Sequence, residues 1–263
     1  MIVGGMPEAV SSWVENHDFL KCQEIQDDIL TGYEDDFPKY REKVNADLLR
    51  ATLRSVANQI TKKFVYSGVG GSYKAVEVKK ALELLFKGLV IPVPHTDTNG
   101  LPLGEEADGN FRKKLLLDSG LQLRMLNMTL GSVTEINTQI LTAGVADLVN
   151  KGSMAEIIAG LEIIRNQTPN LKFDMFYWVR QAKNSVAEID YVIAKDSAVM
   201  PIEVKADRQG GMKSLWIFMR NKKLTEAIRC SLENFGEFYY PDREANNEIR
   251  HVTICPLYAM SQL

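Results

Sequence analysis

Three residue types are scarce in this chain of 263 residues, which has three cysteines, three histidines and three tryptophans. The cysteines (Cys22, Cys230 and Cys255) lie far apart without a C-x-x-C pair. This spacing argues against a disulfide framework or a structural zinc site, and it predicts a reducing cytoplasm as the compartment. The sequence also lacks an uninterrupted apolar run of about 18 residues, so no membrane-spanning helix is expected. The first residues lack the basic stretch and apolar core of a signal peptide.

The overall composition is that of a globular protein, with 45% hydrophobic and 25% charged residues. The net charge is -3, so any contact with nucleic acid must come from a local basic patch. Two glycine-containing segments, Gly68–Lys74 and Gly211–Ser214, do not have the spacing of a phosphate-binding loop. No ATPase activity is therefore expected from this chain.

Three segments follow one another along the sequence. Residues 1–45 have helical periodicity, with Pro7 as the expected first residue of a helix. Residues 46–109 show a helix, a turn, a second helix, a strand and a long loop, which is the outline of a winged-helix module. Residues 110–263 alternate strand and helix patterns and predict one α/β unit. The expected fold class is α/β (α+β), a helical N-terminal segment and winged helix followed by a mixed sheet flanked by helices.

Polar residues interrupt two neighbouring predicted strands, Ala187–Ala194 and Val199–Ala206, which Asp196-Ser197 joins as a tight turn. Alternate residues of a strand face opposite sides. Asp190 is therefore expected to share a face with Val192, opposite to Ile189. Once the hairpin forms, Asp190 is expected to lie close to Glu203 and Lys205 of the next strand, at one edge of the sheet.

Two carboxylates and a lysine in this arrangement are typical of a metal-dependent phosphodiesterase. Asp190 and Glu203 are predicted to bind Mg²⁺ or Mn²⁺, and Lys205 to orient the attacking water or stabilise charge at the phosphate. A further carboxylate is expected from the preceding helix, from Glu156 or Glu162. Six residues apart, these two lie about 120° from each other around a helix, so only one can face the site. Glu156 is the preferred candidate, as a catalytic residue and metal ligand.

The sequence resembles the PD-(D/E)XK nuclease motif, with Asp190, twelve intervening residues and then Glu203-x-Lys205, although Ile189 replaces the motif's proline. A longer resemblance, in order and spacing, is to the C-terminal domain of unknown function of prokaryotic AAA-type ATPases. It rests on FRKKLLLDSG (111–120), AEIIAGLEI (155–163), Tyr177-Trp178, EIDYV (188–192), PIEVKA (201–206) and Lys213-Ser214-Leu215.

The N-terminal residues extend this resemblance to nearly the whole chain. The matching segments are Gly4–Ala9, Ile29-Leu30 and Tyr33-x-x-Asp36-Phe37-x-Lys39-Tyr40, which are similar to the stretch that follows the ATPase core in those proteins. The resemblance implies a helical remnant, a winged helix and a PD-(D/E)XK nuclease-like domain. The family's ATPase domain is absent from this chain, either by truncation or because a separate gene encodes it.

Two functional hypotheses follow. In the first, the chain is a DNA-associated module with a Mg²⁺-dependent endonuclease site. In the second, Asp190, Glu203 and Lys205 form an inherited ion-pair cluster that binds no metal, in a non-catalytic module that recognises DNA or a protein. A homodimer is a further hypothesis, because helices that have lost an ATPase partner would expose Trp13 and Phe19, together with Ile25. No membrane partner is expected.

Overall fold

The computed structural model describes residues 3–97, 99–105, 107–130, 151–167, 175–182, 185–205 and 211–262. The chain divides into two compact units, each made of two separate stretches: Met1–Pro92 with Lys114–Val149, and Val93–Lys113 with Asn150–Leu263. This division differs from that into the three predicted segments, whose boundaries follow residues 45 and 109. The reason is that the chain passes between units inside two strands, whereas sequence composition places boundaries in loops.

The first unit is mainly helical. Its helices are α1 (Pro7–Asn16), α2 (Phe19–Asp36), α3 (Ala46–Asn58), α4 (Ala75–Leu85) and α5 (Ser119–Leu130). The side chain of Asp18 accepts backbone N–H bonds at the start of α2, and Asn45 does the same for α3, so both satisfy donors that a helix start leaves open. Residues of α2, α3, α4 and α5 form a common core that includes Leu49 and Leu82.

The second unit contains most of a mixed sheet, to which eight strands contribute within the described residues. The strands are β1 (Val90–Thr96), β2 (Ala107–Leu116), β3 (Phe176–Ala182), β4 (Ser185–Lys195), β5 (Ala198–Val204), β6 (Glu226–Ser231), β7 (Gly236–Asp242) and β8 (Glu248–Pro256). Their order is β2-β1-β3-β4-β5-β6-β8-β7. The β3–β4, β4–β5 and β7–β8 pairs are antiparallel, whereas β1–β3, β5–β6 and β6–β8 are parallel.

The hairpin between β4 and β5 has the predicted two-residue turn. Asp196 and Ser197 both have positive φ angles, 49° and 62°. This left-handed pair matches the twist of the flanking strands in a two-residue hairpin. Because the turn fixes the register, Tyr191 pairs with Ile202 and Lys195 pairs with Ala198.

The two faces of β3 contact different groups. The ring of Tyr177 lies 5.1 Å from the Lys113 ammonium, whereas the ring of Trp178 lies 5.0 Å from that of Phe218 in helix α7 (Lys213–Lys222). Both aromatic side chains are buried, so this pair belongs to the core of the unit. Helix α6 (Lys151–Arg165) also belongs to this unit.

The mixed α/β fold class with helices at the N-terminus is confirmed. Strand β7 has no counterpart in the prediction, because most of its residues are exposed or half-buried and its sequence lacks a clear apolar face. The sequence pattern also predicts a helix over Glu135–Val149, which lies outside the described residues. Within those residues, no helix combines the length and apolarity needed to cross a bilayer.

Candidate active site

The hairpin brings together two of the three predicted metal-binding carboxylates, Asp190 and Glu203. Extending the Tyr191–Ile202 register by one residue places Asp190 opposite Glu203. The backbone N–H of Val204 donates to Asp190 Oδ2 at 2.8 Å, which fixes the orientation of the Asp190 carboxylate. Strand pairing alone therefore aligns the two acidic side chains.

A β-bulge lies next to Asp190. Strand β3 pairs Trp178 with Ile189 but Phe176 with Val192, so the register shifts between the two pairs. As a result, Ile189 and Val192 lie in the same hydrophobic core cluster. In a regular strand, residues three positions apart would face opposite sides. The expectation that Val192 shares a face with Asp190, opposite to Ile189, is therefore wrong. Bulges often redirect side chains beside functional sites.

A buried lysine that the motif analysis did not single out lies among the carboxylates. Lys113 is 1% exposed, and its Nζ lies 2.8 Å from Glu156 Oε1 and 3.9 Å from Asp190 Oδ1, with a further ion pair to Glu188. Burial favours the neutral amine, but these three carboxylates outweigh it, and the pKa of Lys113 is raised. Its sequence context gives no signal, because Lys113 stands between Arg112 and Lys114 in strand β2.

The second lysine of the site pairs with Glu203. Lys205 Nζ lies 2.5 Å from Glu203 Oε1, and the Lys205 backbone N–H donates to the carbonyl of Cys230. Glu203 is only 3% exposed. Among the described residues, no group donates a hydrogen bond to its other oxygen, Oε2, which is buried. A buried carboxylate oxygen without a donor is costly, so Oε2 is an open acceptor for a cation or a proton.

The structure places Glu156 and Glu162 in different surroundings. Glu156 is 9% exposed and binds Lys113, while its backbone carbonyl accepts from the Tyr191 hydroxyl at 2.7 Å. Glu162 instead pairs with Arg165, an exposed residue of the same helix, at 2.6 Å. Helix α6 therefore contributes Glu156 to the site. Lys113 lies closer to Glu156, at 2.8 Å, than to Asp190, at 3.9 Å, and Glu203 Oε2 has no donor among the described residues. Asp190 and Glu203 are therefore the carboxylates most open to a metal ion.

Burial raises the pKa values of three carboxyl groups of the site. Glu156 has its pKa raised to about 8 by burial, against the opposing charge of Lys113. Burial and the negative charge of Asp190 raise the pKa of Glu203 to about 7, although Lys205 opposes the shift. The pKa of Asp190 is also raised by burial, against Lys113. Without a further cation, the site therefore holds protons near neutral pH.

We name this group the carboxylate cluster: Glu156, Glu188, Asp190 and Glu203, with Lys113 and Lys205. Its four carboxylates and two ammonium groups leave a formal excess of two negative charges when all are ionised. A divalent cation would balance this excess, and Mg²⁺ commonly uses one or two carboxylates with water and substrate oxygens. In the described residues, no group of three or more His, Cys, Asp or Glu is arranged as a complete metal cage. The donors thus fit a cation that Asp190 and Glu203 hold together with water.

The raised pKa values predict that the protein loses stability as the pH rises. Glu156 and Glu203 bind protons more tightly in the folded chain, with pKa values of about 8 and about 7, than at their ordinary pKa of 4.5. Their contribution is therefore full below pH 4.5 and is lost as the pH rises through about 8. Urea unfolding in EDTA, from about pH 5 to about pH 9, should show a decreasing free energy of unfolding.

A Glu203→Gln variant is the control for this pH dependence, because an amide keeps the shape of the side chain and does not titrate. The decline in stability should be shallower in the variant than in the unmodified chain. Equal slopes in the two proteins would contradict the assignment of Glu203 as a group that titrates near neutral pH.

Comparison with protein families gives two matches. Residues 1–131 match the model of a domain of unknown function, DUF8612, and residues 151–258 match that of a second one, DUF4143. The second is a domain found in AAA-ATPase-associated proteins. No curated protein and no solved structure matches this chain. The DUF4143 match spans Glu156, Asp190, Glu203 and Lys205, whereas Lys113 lies before it.

Proposed function

We propose that Asp190, Glu203 and Lys205 form a Mg²⁺- or Mn²⁺-dependent site that cleaves DNA within a PD-(D/E)XK nuclease-like domain. The observation that carries the proposal is the buried Oε2 atom of Glu203, which lacks a hydrogen-bond donor among the described residues. Extending the Tyr191–Ile202 register by one residue places Glu203 opposite Asp190. The excess of negative charge in the carboxylate cluster favours the binding of a cation there.

Each residue of the site has a distinct role in this proposal. A metal ion held by Asp190 and Glu203 would supply an acidified water and neutralise charge on the phosphodiester. The Lys205 side chain is 27% exposed, so its ammonium is accessible to an oxygen of the phosphate while it stays beside Glu203. Lys113 holds Glu156, Glu188 and Asp190 in place as a positioning residue.

The proposed context is a DNA-associated module that works with an AAA-type ATPase domain outside this chain, in the cytoplasm. The occurrence of DUF4143 in AAA-ATPase-associated proteins supports this context. The winged helix predicted for residues 46–109 stays a prediction, because α3 and α4 belong to the first unit, whereas β1 and β2 are strands of the mixed sheet and extend into the second unit. The homodimer stays a prediction: Trp13 is exposed, whereas Phe19 and Ile25 are half-buried.

The second candidate function is the non-catalytic module that recognises DNA or a protein. The observation that favours it is the Lys113 ammonium, which already pairs with three of the four carboxylates. A cluster neutralised in this way could persist after the metal-binding function was lost. The two candidates differ in whether Asp190 and Glu203 bind a divalent cation.

Cleavage of supercoiled plasmid and branched DNA with Mg²⁺ or Mn²⁺ tests the proposal. Glu203→Ala should remove a cation ligand and Lys205→Ala a phosphate contact, so each should lower the cleavage rate by about 100-fold or more. Glu162→Ala is the matched control, because it removes a carboxylate from helix α6 outside the carboxylate cluster. Its activity should equal that of the unmodified chain.

Mn²⁺ binding measured by electron paramagnetic resonance gives a second readout, independent of catalysis. The unmodified chain and Glu162→Ala should bind the ion, and Glu203→Ala should lose it. Equal cleavage by all proteins would indicate a contaminating nuclease. If none cleaves and none binds Mn²⁺, the non-catalytic module is the better account. Binding without cleavage would support the site and place its activation in the ATPase domain.

A further inference from the structure

A cavity of about 610 Å³ lies in the second unit, apart from the carboxylate cluster. Residues that line it include Arg180, Lys213, Trp216, Arg220, Tyr240 and Glu244. They come from strand β3, helix α7, strand β7 and the short helical turn Arg243–Ala245. The volume is within the range of small-molecule sites.

The cavity and Lys113 of the carboxylate cluster lie on opposite faces of strand β3. In β3, Tyr177 contacts Lys113 of the cluster and Trp178 contacts Phe218 of α7. Side chains two residues apart in a strand share a face, so Arg180 lies on the face of Trp178 and α7. The residues that line the cavity include none of the carboxylate cluster, so the two are separate sites.

Two cations of the cavity are available to an anion. Among the described residues, neither Arg180 nor Lys213 has an ion-pair partner, and the Arg180 Nε atom is buried without a hydrogen-bond acceptor. By contrast, Arg220 is neutralised by Asp242 and Glu244, each at 2.9 Å. A buried guanidinium N–H without an acceptor carries a desolvation cost, which a bound phosphate would relieve through charge-assisted hydrogen bonds.

One wall of the cavity is aromatic. The rings of Trp216 and Tyr240 stack with their centroids 4.5 Å apart and an angle of 13° between their planes. Phe238 supports Trp216 edge-on at 6.4 Å. A rigid aromatic pair of this kind offers a flat, polarisable surface, on which nucleobases commonly stack.

We propose that this cavity binds a nucleoside phosphate, with its phosphate on Arg180 and Lys213 and its base against the Trp216–Tyr240 pair. Neighbouring unpaired cations and a stacked aromatic wall are the two recognition elements that such a ligand requires. The ligand is either a free nucleotide or the phosphorylated end of a strand, since both present the same chemistry. The site is independent of the proposed nuclease activity.

Binding is tested in EDTA, without a divalent cation, by Trp216 fluorescence and titration calorimetry. Adenosine 5′-monophosphate should bind saturably, with a dissociation constant below about 1 mM. Adenosine and inorganic phosphate, each offering one half of the ligand, should bind at least about tenfold more weakly. Trp216→Phe should abolish the fluorescence change, because the other tryptophans, Trp13 and Trp178, do not line the cavity.

Substitutions of single cations test whether Arg180 and Lys213 contact the phosphate directly or only add positive charge to the protein. Arg180→Gln and Lys213→Gln should each weaken nucleotide binding by about tenfold or more, through loss of a charge-assisted hydrogen bond. The matched control is Lys223→Gln, which removes an exposed positive charge directly after the other end of helix α7. Its affinity should stay within about twofold of the unmodified chain, because exposed charges at this distance are screened.

A 5′-phosphorylated oligothymidine and its unphosphorylated form distinguish the two sources of the ligand. Tighter binding of the phosphorylated strand than of thymidine 5′-monophosphate would assign a strand end, and the reverse order a free nucleotide. The proposal is overturned if no nucleotide or strand binds saturably, if inorganic phosphate binds as tightly as the nucleotide, or if Arg180→Gln and Lys213→Gln both bind normally. Because no cleavage is measured, these outcomes are distinct from a failure of the proposed nuclease function.

Discussion

Replacing Lys113 with methionine is expected to lower the free energy of unfolding by about 3–5 kcal/mol at neutral pH. Methionine fills a similar volume but leaves Glu156, Glu188 and Asp190 without their shared cation. Removing one member of a buried ionic group is costly because the remaining charges stay desolvated. Urea unfolding in EDTA would measure the loss.

The matched control for Lys113→Met is Lys195→Met in the same unit. Lys195 pairs with Asp196, whose side chain is 88% exposed, so this change should cost no more than about 1 kcal/mol. If the cluster accepts divalent cations, Mg²⁺ should restore part of the stability that Lys113→Met loses, since ligands that bind the folded state stabilise it. A loss for Lys113→Met no larger than for Lys195→Met would show that Lys113 does not hold the cluster together.

The second large effect is expected for Asp242→Asn, at the end of strand β7. The Asp242 carboxylate is 1% exposed and pairs with Arg250 at 3.4 Å, which is equally buried, as well as with Arg220 at 2.9 Å. The amide keeps the shape but removes the charge that both guanidinium groups share. We expect a loss of about 3 kcal/mol in the free energy of unfolding, measured by urea titration.

Glu244→Gln provides a control on the same arginine. Glu244 also pairs with Arg220 at 2.9 Å, but its side chain is 77% exposed. Solvent screens this pair, so the change should cost no more than about 1 kcal/mol. Similar losses for Asp242→Asn and Glu244→Gln would contradict the prediction that burial, and not distance, determines how much each ion pair contributes to the free energy of unfolding.

The part of the fold that local sequence patterns determine was predictable. The turn at Asp196-Ser197 and the apolar alternation around it define the β4–β5 hairpin, because a two-residue turn fixes the strand register. Pro7 and the helix periodicity that follows Asp18 define α1 and α2 in the same way. Strand β7 was not predictable from alternation, since it lies at the edge of the sheet and buries little of its surface.

The candidate site was predictable only in its motif residues. Asp190 and Glu203 meet through a single hairpin, which is local information. Lys113 reaches Glu156 across 43 residues of sequence, and no local pattern specifies that contact. The bulge that moves Val192 into the core with Ile189 depends on how β3 pairs with β4, so alternation within β4 alone gives the wrong face for Val192.

The chain crosses between the two units three times, which limits where the gene can be divided. Residues 93–113 belong to the same unit as residues 150–263, so no single cut releases either unit whole. A fragment that starts at residue 151, where the DUF4143 match begins, keeps Glu156, Asp190, Glu203 and Lys205. It loses Lys113 and the strand whose His95 pairs with Tyr177. A fragment meant to contain the whole second unit must therefore start before the DUF4143 match, at Val93 inside strand β1.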